Sequence, residues 1–85
     1  MAIDLSALWD FSNPEESEQR FVAALDGASS DEALILQTQI ARTYGIRADF
    51  DRAQEILKKI EPALEDASPE ARVRHALETG RTLSS

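Results

Sequence analysis

Hydrophobic residues recur every three or four positions through most of this chain, which is the spacing of an amphipathic α-helix. The pattern is clearest from Leu34 to Ile60, where two apolar stripes flank a short polar turn. Leu36 and Ile40 belong to the first stripe, and Ala53 and Leu57 belong to the second. We therefore predict two amphipathic helices joined by a turn, with small residues where the two helices touch.

Polar residues that commonly cap helices lie just before the apolar stripes. Asn13 precedes Pro14, a residue that suits the first helical position, and the pair Ser68-Pro69 repeats this arrangement. Ser29 and Glu32 have the spacing of a capping box, in which each side chain bonds the other residue's backbone N–H. Helices are therefore expected to begin directly after these caps.

Glycine and proline indicate where the helices end. Gly27 and Gly45 each follow an apolar stripe and are expected to be the C-terminal residues of two helices. The next helix is expected to start near Asp49, and Pro62 falls inside its pattern. Because proline lacks a backbone N–H and clashes with the preceding turn, we expect a kink or an early end there.

The helical pattern also extends toward both ends of the sequence. An apolar cluster runs from Ile3 to Phe11, and a final apolar stripe runs from Val73 to Leu83. Together these segments predict an all-α fold of about five helices. Connections of a few residues favour antiparallel neighbours, in helix-turn-helix order.

Composition narrows the class of protein further. The chain has 85 residues, of which 42% are hydrophobic, so we expect one small folded domain. It has no cysteine, which excludes disulfides, thiolate metal sites and a cysteine nucleophile. The formal net charge of −7 argues against nucleic acid and anionic membranes as partners, since both need a basic face. No apolar run approaches the roughly 20 residues of a membrane span, and no signal peptide is evident, so we expect a cytoplasmic location.

Residues with catalytic potential have simpler explanations. His75 is the only histidine, and its neighbours Arg74 and Ala76 supply no carboxylate for a metal or acid–base role, so we expect it on the surface. The serines suit helix caps, and the three glycines are too dispersed for a phosphate-binding loop. We therefore expect no enzyme, and no catalytic, metal-binding or cofactor-binding residue. A small acidic enzyme domain is a remote alternative that requires a pocket of converging polar groups.

Segments of the chain are similar to one another at offsets of 36 and 39 residues. Residues 17–24 match 53–60, and residues 40–44 match 79–83. In each segment a small residue precedes a large one by three or four positions, which allows close approach of a neighbouring helix. Repetition at this period favours a helical repeat protein over a plain helical bundle.

The segments 37–44 (QTQIARTY) and 53–57 (AQEIL) resemble the tetratricopeptide repeat, whose pattern is W-x2-L-G-x2-Y followed by A-x3-F. The pair Asp49-Phe50 at the turn between them is also typical of that family. Departures from the pattern are Gln37 in place of tryptophan and Ala41 in place of glycine, and Pro62 comes earlier than the family's closing proline.

The resemblance implies a single domain with three unequal repeats. Residues 31–67 match one complete repeat, and residues 1–28 resemble a degenerate first repeat with a shortened first helix. Residues 69–85 resemble the first helix of a third repeat whose second helix is missing. The chain as a whole is similar to the N-terminal part of a bacterial tetratricopeptide repeat protein, with an α–α superhelical arrangement.

The same resemblance implies a non-catalytic module that binds a partner peptide or protein on a concave face. That face is built from the first helix of each repeat. The matching positions are Trp9, Thr38, Arg42, Ile46, Arg74, Leu77 and Arg81. The three arginines among them form either a cationic patch suited to a partner carboxylate or solvated surface charges that balance nearby glutamates.

Self-association is the alternative function. A terminal repeat without a polar cap leaves apolar surface exposed. Val73, Leu77 and Leu83 lie on the final helix and have no following helix in this sequence to cover them. Burial of these residues against another chain predicts a homodimer.

Overall fold

The computed structural model describes residues 4–83, and all regular secondary structure in that range is helical. The helices are α1 (Leu5–Leu8), α2 (Pro14–Ala24), α3 (Ser30–Ile46), α4 (Phe50–Ile60) and α5 (Pro69–Leu83), and a 3-10 helix spans Glu61–Asp66. The predicted all-α class with about five helices is confirmed. Ile3, which the sequence places in the first apolar cluster, lies outside the described residues, as do residues 84 and 85.

Side chains cap the helices where the sequence predicts them. In each case a side-chain oxygen accepts a hydrogen bond from the backbone N–H three residues later, which satisfies one of the helix's unpaired donors. The distances are 3.1 Å for Asn13, 3.1 Å for Ser29, 3.2 Å for Asp49 and 3.2 Å for Ser68. The backbone N–H of Ser29 also donates to Glu32 at 2.9 Å, so the predicted capping box is present.

The early helix end at Pro62 and the left-handed conformation of Gly27 are confirmed, but α2 itself ends at Ala24, three residues before Gly27. Gly27 has a φ of +82°, the left-handed backbone conformation that glycine adopts without steric cost. The helix α4 ends at Ile60 and the chain continues as a 3-10 helix that contains Pro62. The early end at this proline agrees with the loss of its backbone donor.

The predicted end of α3 at Gly45 is wrong. The helix continues to Ile46, and the left-handed residue after it is Ala48, with a φ of +64°. The N–H of Ala48 donates to the carbonyl of Gly45 at 3.0 Å, and the N–H of Asp49 donates to the carbonyl of Tyr44 at 2.8 Å. These two bonds form a Schellman turn, which holds an alanine in the position that glycine usually takes.

The helix α3 lies at the centre of the fold and packs against α2, α4 and α5. On one side Phe21 of α2 packs with Leu36 and Ile40 of α3, and on another Ala41 of α3 packs with α4. Enclosure on several sides also buries polar residues that an amphipathic pattern places outside. These residues are Thr38, Gln39 and Thr43.

The helix α5 packs on α3 and α4 through the buried Ala71 and through several polar groups. The backbone N–H and the hydroxyl of Ser68 both donate to the carboxylate of Asp31 at the start of α3, at 2.8 and 2.7 Å. Nε2 of His75 donates to the carbonyl of Leu57 on α4 at 2.9 Å. His75 is half-buried between two helices and is not the simple surface residue that the sequence suggests.

The matched small residues of the two similar segments occupy different environments. Ala41 is completely buried at the contact between α3 and α4. Gly80, its counterpart at the 39-residue offset, is exposed, and a Cβ placed there meets no other atom within 4 Å. Gly80 therefore does not serve a close helix contact within residues 4–83.

Candidate functional site

A groove between α3 and α5 brings together several of the residues that the sequence singles out. We call it the α3–α5 groove, and its volume is about 210 Å³. This volume is smaller than the roughly 300–1,000 Å³ of typical small-molecule sites, so it suits one or two side chains of a larger partner. The residues that line it are Arg42, Gly45, Ile46, Phe50, Glu78, Arg81 and Thr82.

Arg42 is the central cation of this groove. Its guanidinium lies 5.4 Å from the ring centre of Trp9 and 5.2 Å from that of Phe11, so it contacts two aromatic rings. Among residues 4–83, no carboxylate oxygen lies within 4 Å of this guanidinium. Partial burial and the positive charges of Arg81 and Arg74 lower the pKa of Arg42, and the negative charge of Glu78 opposes that fall. Within the described residues Arg42 is therefore influenced by Glu78 but makes no direct ion pair.

Glu78 lies beneath the arginines and is only 4% exposed. Its carboxylate is 3.6 Å from Nη1 of Arg81, a distance too long for a good hydrogen bond. Burial raises the pKa of Glu78, and the positive charges of Arg81, Arg42 and Arg74 partly oppose that rise. The sequence analysis missed Glu78. The available signal was its position between Arg74 and Arg81 at helical spacing.

The three arginines named from the sequence act on one carboxylate in the structure. Arg42 comes from α3, whereas Arg74 and Arg81 come from α5, and all three contribute to the electrostatic environment of Glu78. Arg74 also bonds Glu70 one turn earlier on α5, at 3.1 Å. The charged residues that line the groove itself are Arg42, Arg81 and Glu78, so its lining carries one positive charge in excess.

The aromatic residues near α1 close one end of the core and support Arg42. The ring of Trp9 packs edge-on against the buried Phe21 at 5.0 Å, and Phe11 stacks on the other ring face at 4.5 Å. The indole Nε1 of Trp9 donates to the side-chain oxygen of Gln39 at 2.8 Å. Trp9 is therefore fixed in place and presents a flat surface to the guanidinium of Arg42.

The placement of Thr38 on an exposed concave face is wrong. This residue is completely buried, because α3 is covered on several sides. Its hydroxyl donates to the carbonyl of Ile35 at 2.6 Å, which satisfies the hydroxyl within its own helix. By contrast Ile46 is exposed and lines the α3–α5 groove.

Leu77 does not line the α3–α5 groove. It borders a shallow depression on α5 together with Val73 and Pro69. Leu77 is 51% exposed, Val73 is 57% exposed and Leu83 is 70% exposed. These are the three residues that the sequence analysis assigned to self-association, and the structure leaves all of them open to solvent.

Residues 4–83 lack two other features that would indicate a function. No three His, Asp or Glu side chains in this range come together as a metal site requires. In the same range, no helix is long and apolar enough to cross a membrane. No protein-family model, curated protein or solved structure matches this chain.

Proposed function

We propose that this chain is a non-catalytic, cytoplasmic protein-interaction module that binds a carboxylate-bearing segment of a partner protein in the α3–α5 groove. The observation that carries the proposal is Arg42, a partly buried guanidinium with no carboxylate within 4 Å among the described residues. A carboxylate from a partner supplies the direct ion pair that Glu78 does not make with Arg42. Arginine suits this task because its planar group donates two parallel hydrogen bonds to a carboxylate.

The walls of the groove add an apolar component to this recognition. Ile46 is 45% exposed, and Phe50 lies beside it in the groove lining. A partner segment with a hydrophobic side chain next to its carboxylate therefore buries apolar surface while its charge faces Arg42 and Arg81. The combination favours an acidic residue flanked by aliphatic residues over a free inorganic anion.

Assignment to the tetratricopeptide repeat class is part of the same proposal. Its support is the contact between α3 and α4, where Ala41 of the first motif segment packs with Ala53 and Leu57 of the second. These are the small and large positions that the family pattern specifies. The short α1 before α2 also fits a first repeat with a reduced first helix.

The test is binding of two synthetic peptides that differ only in charge, acetyl-Leu-Glu-Leu-Glu-Leu-amide and its Gln counterpart. Titration calorimetry and NMR shift mapping of the intact chain should show the Glu peptide at Arg42 and Ile46, and at least tenfold weaker binding of the Gln peptide. Arg42→Ala should reduce binding of the Glu peptide by at least fivefold. A rise from 50 to 500 mM salt should weaken it further, since salt screens attraction between exposed charges.

Arg52→Ala is the matched control for Arg42→Ala. Arg52 is an exposed arginine on α4 that pairs with Asp49 at 3.9 Å and does not line the groove. The control variant should bind the Glu peptide like the parent chain. Equal affinity for the Glu and Gln peptides, or equal losses in the two arginine variants, would overturn the proposal.

A further inference from the structure

The outward side of α5 carries an apolar stripe with no charged residue in it. All six members of the stripe are exposed, although they belong to one face of a single helix. We call this set the outer stripe of α5. Its members are Pro69, Val73, Ala76, Leu77, Gly80 and Leu83. Scattered apolar residues are normal on a protein surface, but a continuous apolar stripe marks an interaction surface.

The spacing within the outer stripe is that of a helix–helix contact. Residues 69, 73, 76, 80 and 83 follow alternating steps of four and three, which is the repeat that places apolar side chains along a coiled-coil seam. Ala76 and Gly80 are the two small members and lie near the middle. Small side chains allow two helices to approach closely at that point, and a Cβ built at Gly80 meets no atom of residues 4–83 within 4 Å.

We infer that the outer stripe of α5 pairs with the same stripe of a second copy, with the two α5 helices antiparallel about a two-fold axis. This inference is independent of the proposed peptide groove. A two-fold interface brings one surface patch against itself, so the patch must be complementary to its own reversed copy. The outer stripe satisfies this condition from Val73 to Leu83, where the steps of three, four and three are the same when read backwards.

One register matches large residues with large and small with small. It places Val73 opposite Leu83 of the second copy and Ala76 opposite Gly80 of the second copy. Leu77 of each copy then lies beside the two-fold axis. This register covers the exposed Val73, Leu77 and Leu83, and it leaves Glu70 and Arg74, which line the same depression, at the edge of the seam.

The order of side-chain sizes favours a second copy as the occupant, because Val73, Ala76, Gly80 and Leu83 run large, small, small, large in either direction. Each chain carries a formal net charge of −7, so two copies repel one another across most relative orientations. Contact through the uncharged outer stripe brings the chains together without setting carboxylates face to face. Screening of the remaining long-range repulsion by salt should therefore strengthen the dimer.

The size of the stripe sets the expected strength of the dimer. Three helical turns bury on the order of 400 Å² on each copy, about half of the roughly 800 Å² per partner of a standard interface. Small interfaces of this kind give weak and transient complexes. We therefore expect a dissociation constant between about 10 µM and 1 mM.

Sedimentation equilibrium of the full chain from 10 µM to 1 mM tests the dimer. The expected result is a reversible monomer–dimer equilibrium that shifts toward dimer between 50 and 500 mM NaCl. Leu77→Glu should weaken the dimer at least tenfold, because two carboxylates then meet at the two-fold axis. Val22→Glu is the matched control, since Val22 is 49% exposed on α2, and it should leave the equilibrium unchanged.

Disulfide trapping tests the orientation, since the chain has no cysteine of its own. Leu77→Cys should cross-link to itself, and a mixture of Val73→Cys with Leu83→Cys should form the mixed disulfide. Val73→Cys alone should not cross-link, because antiparallel pairing separates the two copies of this position by about 15 Å. That distance is well beyond the roughly 7 Å limit between the Cα atoms of a disulfide.

Three outcomes would overturn the inference. The first is a chain that remains monomeric at 1 mM in high salt, which leaves the outer stripe to a different protein. The second is a dimer that Leu77→Glu and Val22→Glu weaken equally. The third is efficient self-cross-linking of Val73→Cys, which indicates a parallel pair. Circular dichroism of each variant confirms that the helices are intact, so loss of folding is not mistaken for loss of the dimer.

Discussion

In α5 the polar face is turned inward and the apolar face outward, which is the reverse of most surface helices. Its inner face, toward α3 and α4, buries Glu78 and Thr82 and hydrogen-bonds through His75. Its outer face exposes Val73 and Leu83. An amphipathic surface helix normally turns its apolar stripe to the core, because burial of apolar surface is the main driving force for packing. In α5 the apolar stripe is left for another contact.

This difference separates α5 energetically from the α2–α3–α4 core. A fully buried aliphatic side chain contributes several kcal/mol, whereas a typical hydrogen bond contributes only about 0.5–1.5 kcal/mol net. Buried apolar side chains such as Phe21 and Leu36 hold the core together. Hydrogen bonds make a larger share of the contacts that attach α5. We therefore expect α5 to open before the rest of the fold.

The largest expected change in stability comes from a substitution in the α2–α3–α4 core. Leu36→Ala removes a completely buried side chain and should lower the free energy of unfolding by about 2–5 kcal/mol. Leu77→Ala is the matched change on the exposed face of α5 and should cost no more than about 0.5 kcal/mol in dilute solution. Urea denaturation followed by circular dichroism at 5 µM measures both. Comparable losses in the two variants would remove the distinction between core and outer stripe.

Ser68→Ala tests the polar attachment of α5. The variant loses the N-cap of the helix and the hydroxyl bond to Asp31, and it should be less stable by about 1 kcal/mol. Amide hydrogen exchange should show that protection falls within α5 while α2 and α3 change little. The control is Ser6→Ala, at an exposed serine of α1. Uniform loss of protection across all helices would show that α5 opens only together with the core.

Gly80→Ala tests whether the outer face of α5 is open, and it is expected to raise the stability of the monomer instead of lowering it. A Cβ at this position meets nothing within 4 Å, and alanine favours a helix over glycine by about 0.5–1 kcal/mol. The monomer should therefore gain about that much stability, as measured at 5 µM by thermal or urea denaturation. A destabilised variant in dilute solution would mean that position 80 packs closely against a neighbour.

The smallest expected effect is the pH response of two carboxyls that contact α5. Hydrogen bonds from Ser68 lower the pKa of Asp31, so its stabilising contribution is present at neutral pH and is lost as the pH falls through its lowered pKa. Burial raises the pKa of Glu78, so the chain regains stability at this site as the pH falls through the raised value.

Exchange of each carboxyl for its amide separates the two contributions. Glu78→Gln should raise stability at pH 7 by no more than about 1 kcal/mol, and this gain should vanish as Glu78 becomes protonated in the parent chain. Asp31→Asn should lower stability at pH 7 and make the chain less sensitive to acid. Urea midpoints between pH 3 and 7 measure these curves, with Glu55→Gln as an exposed control. A stability change at pH 7 of the opposite sign in either variant would contradict the pKa shift assigned to that carboxyl.

Local features were the ones that the sequence could predict. Asn13, Ser29, Asp49 and Ser68 cap helices through bonds to residues only three positions away, so the pattern itself contains both partners. The end of α3 was harder to predict, because Ala48 adopts the left-handed conformation through backbone bonds that any residue can form.

Features that depend on neighbouring helices could not be predicted. Periodicity identified the apolar stripe of α5 but could not show which side of the helix meets α3. The same gap explains Thr38 and Glu78, two polar residues that are buried because other helices cover them. The helical spacing of Arg74, Glu78 and Arg81 is visible in the sequence, whereas the burial of Glu78 and its interaction with Arg42 depend on the packing of α5 on α3.

Trp9 gives the α3–α5 groove a natural optical reporter. It is the only tryptophan of the chain, and its ring stacks on Phe11 while the guanidinium of Arg42 lies 5.4 Å from the ring centre. Indole emission responds to nearby charge, so any movement of Arg42 toward a bound carboxylate changes the fluorescence of this single residue. Occupancy of the groove can therefore be followed in unlabelled protein, including at concentrations too low for the chain to pair with itself.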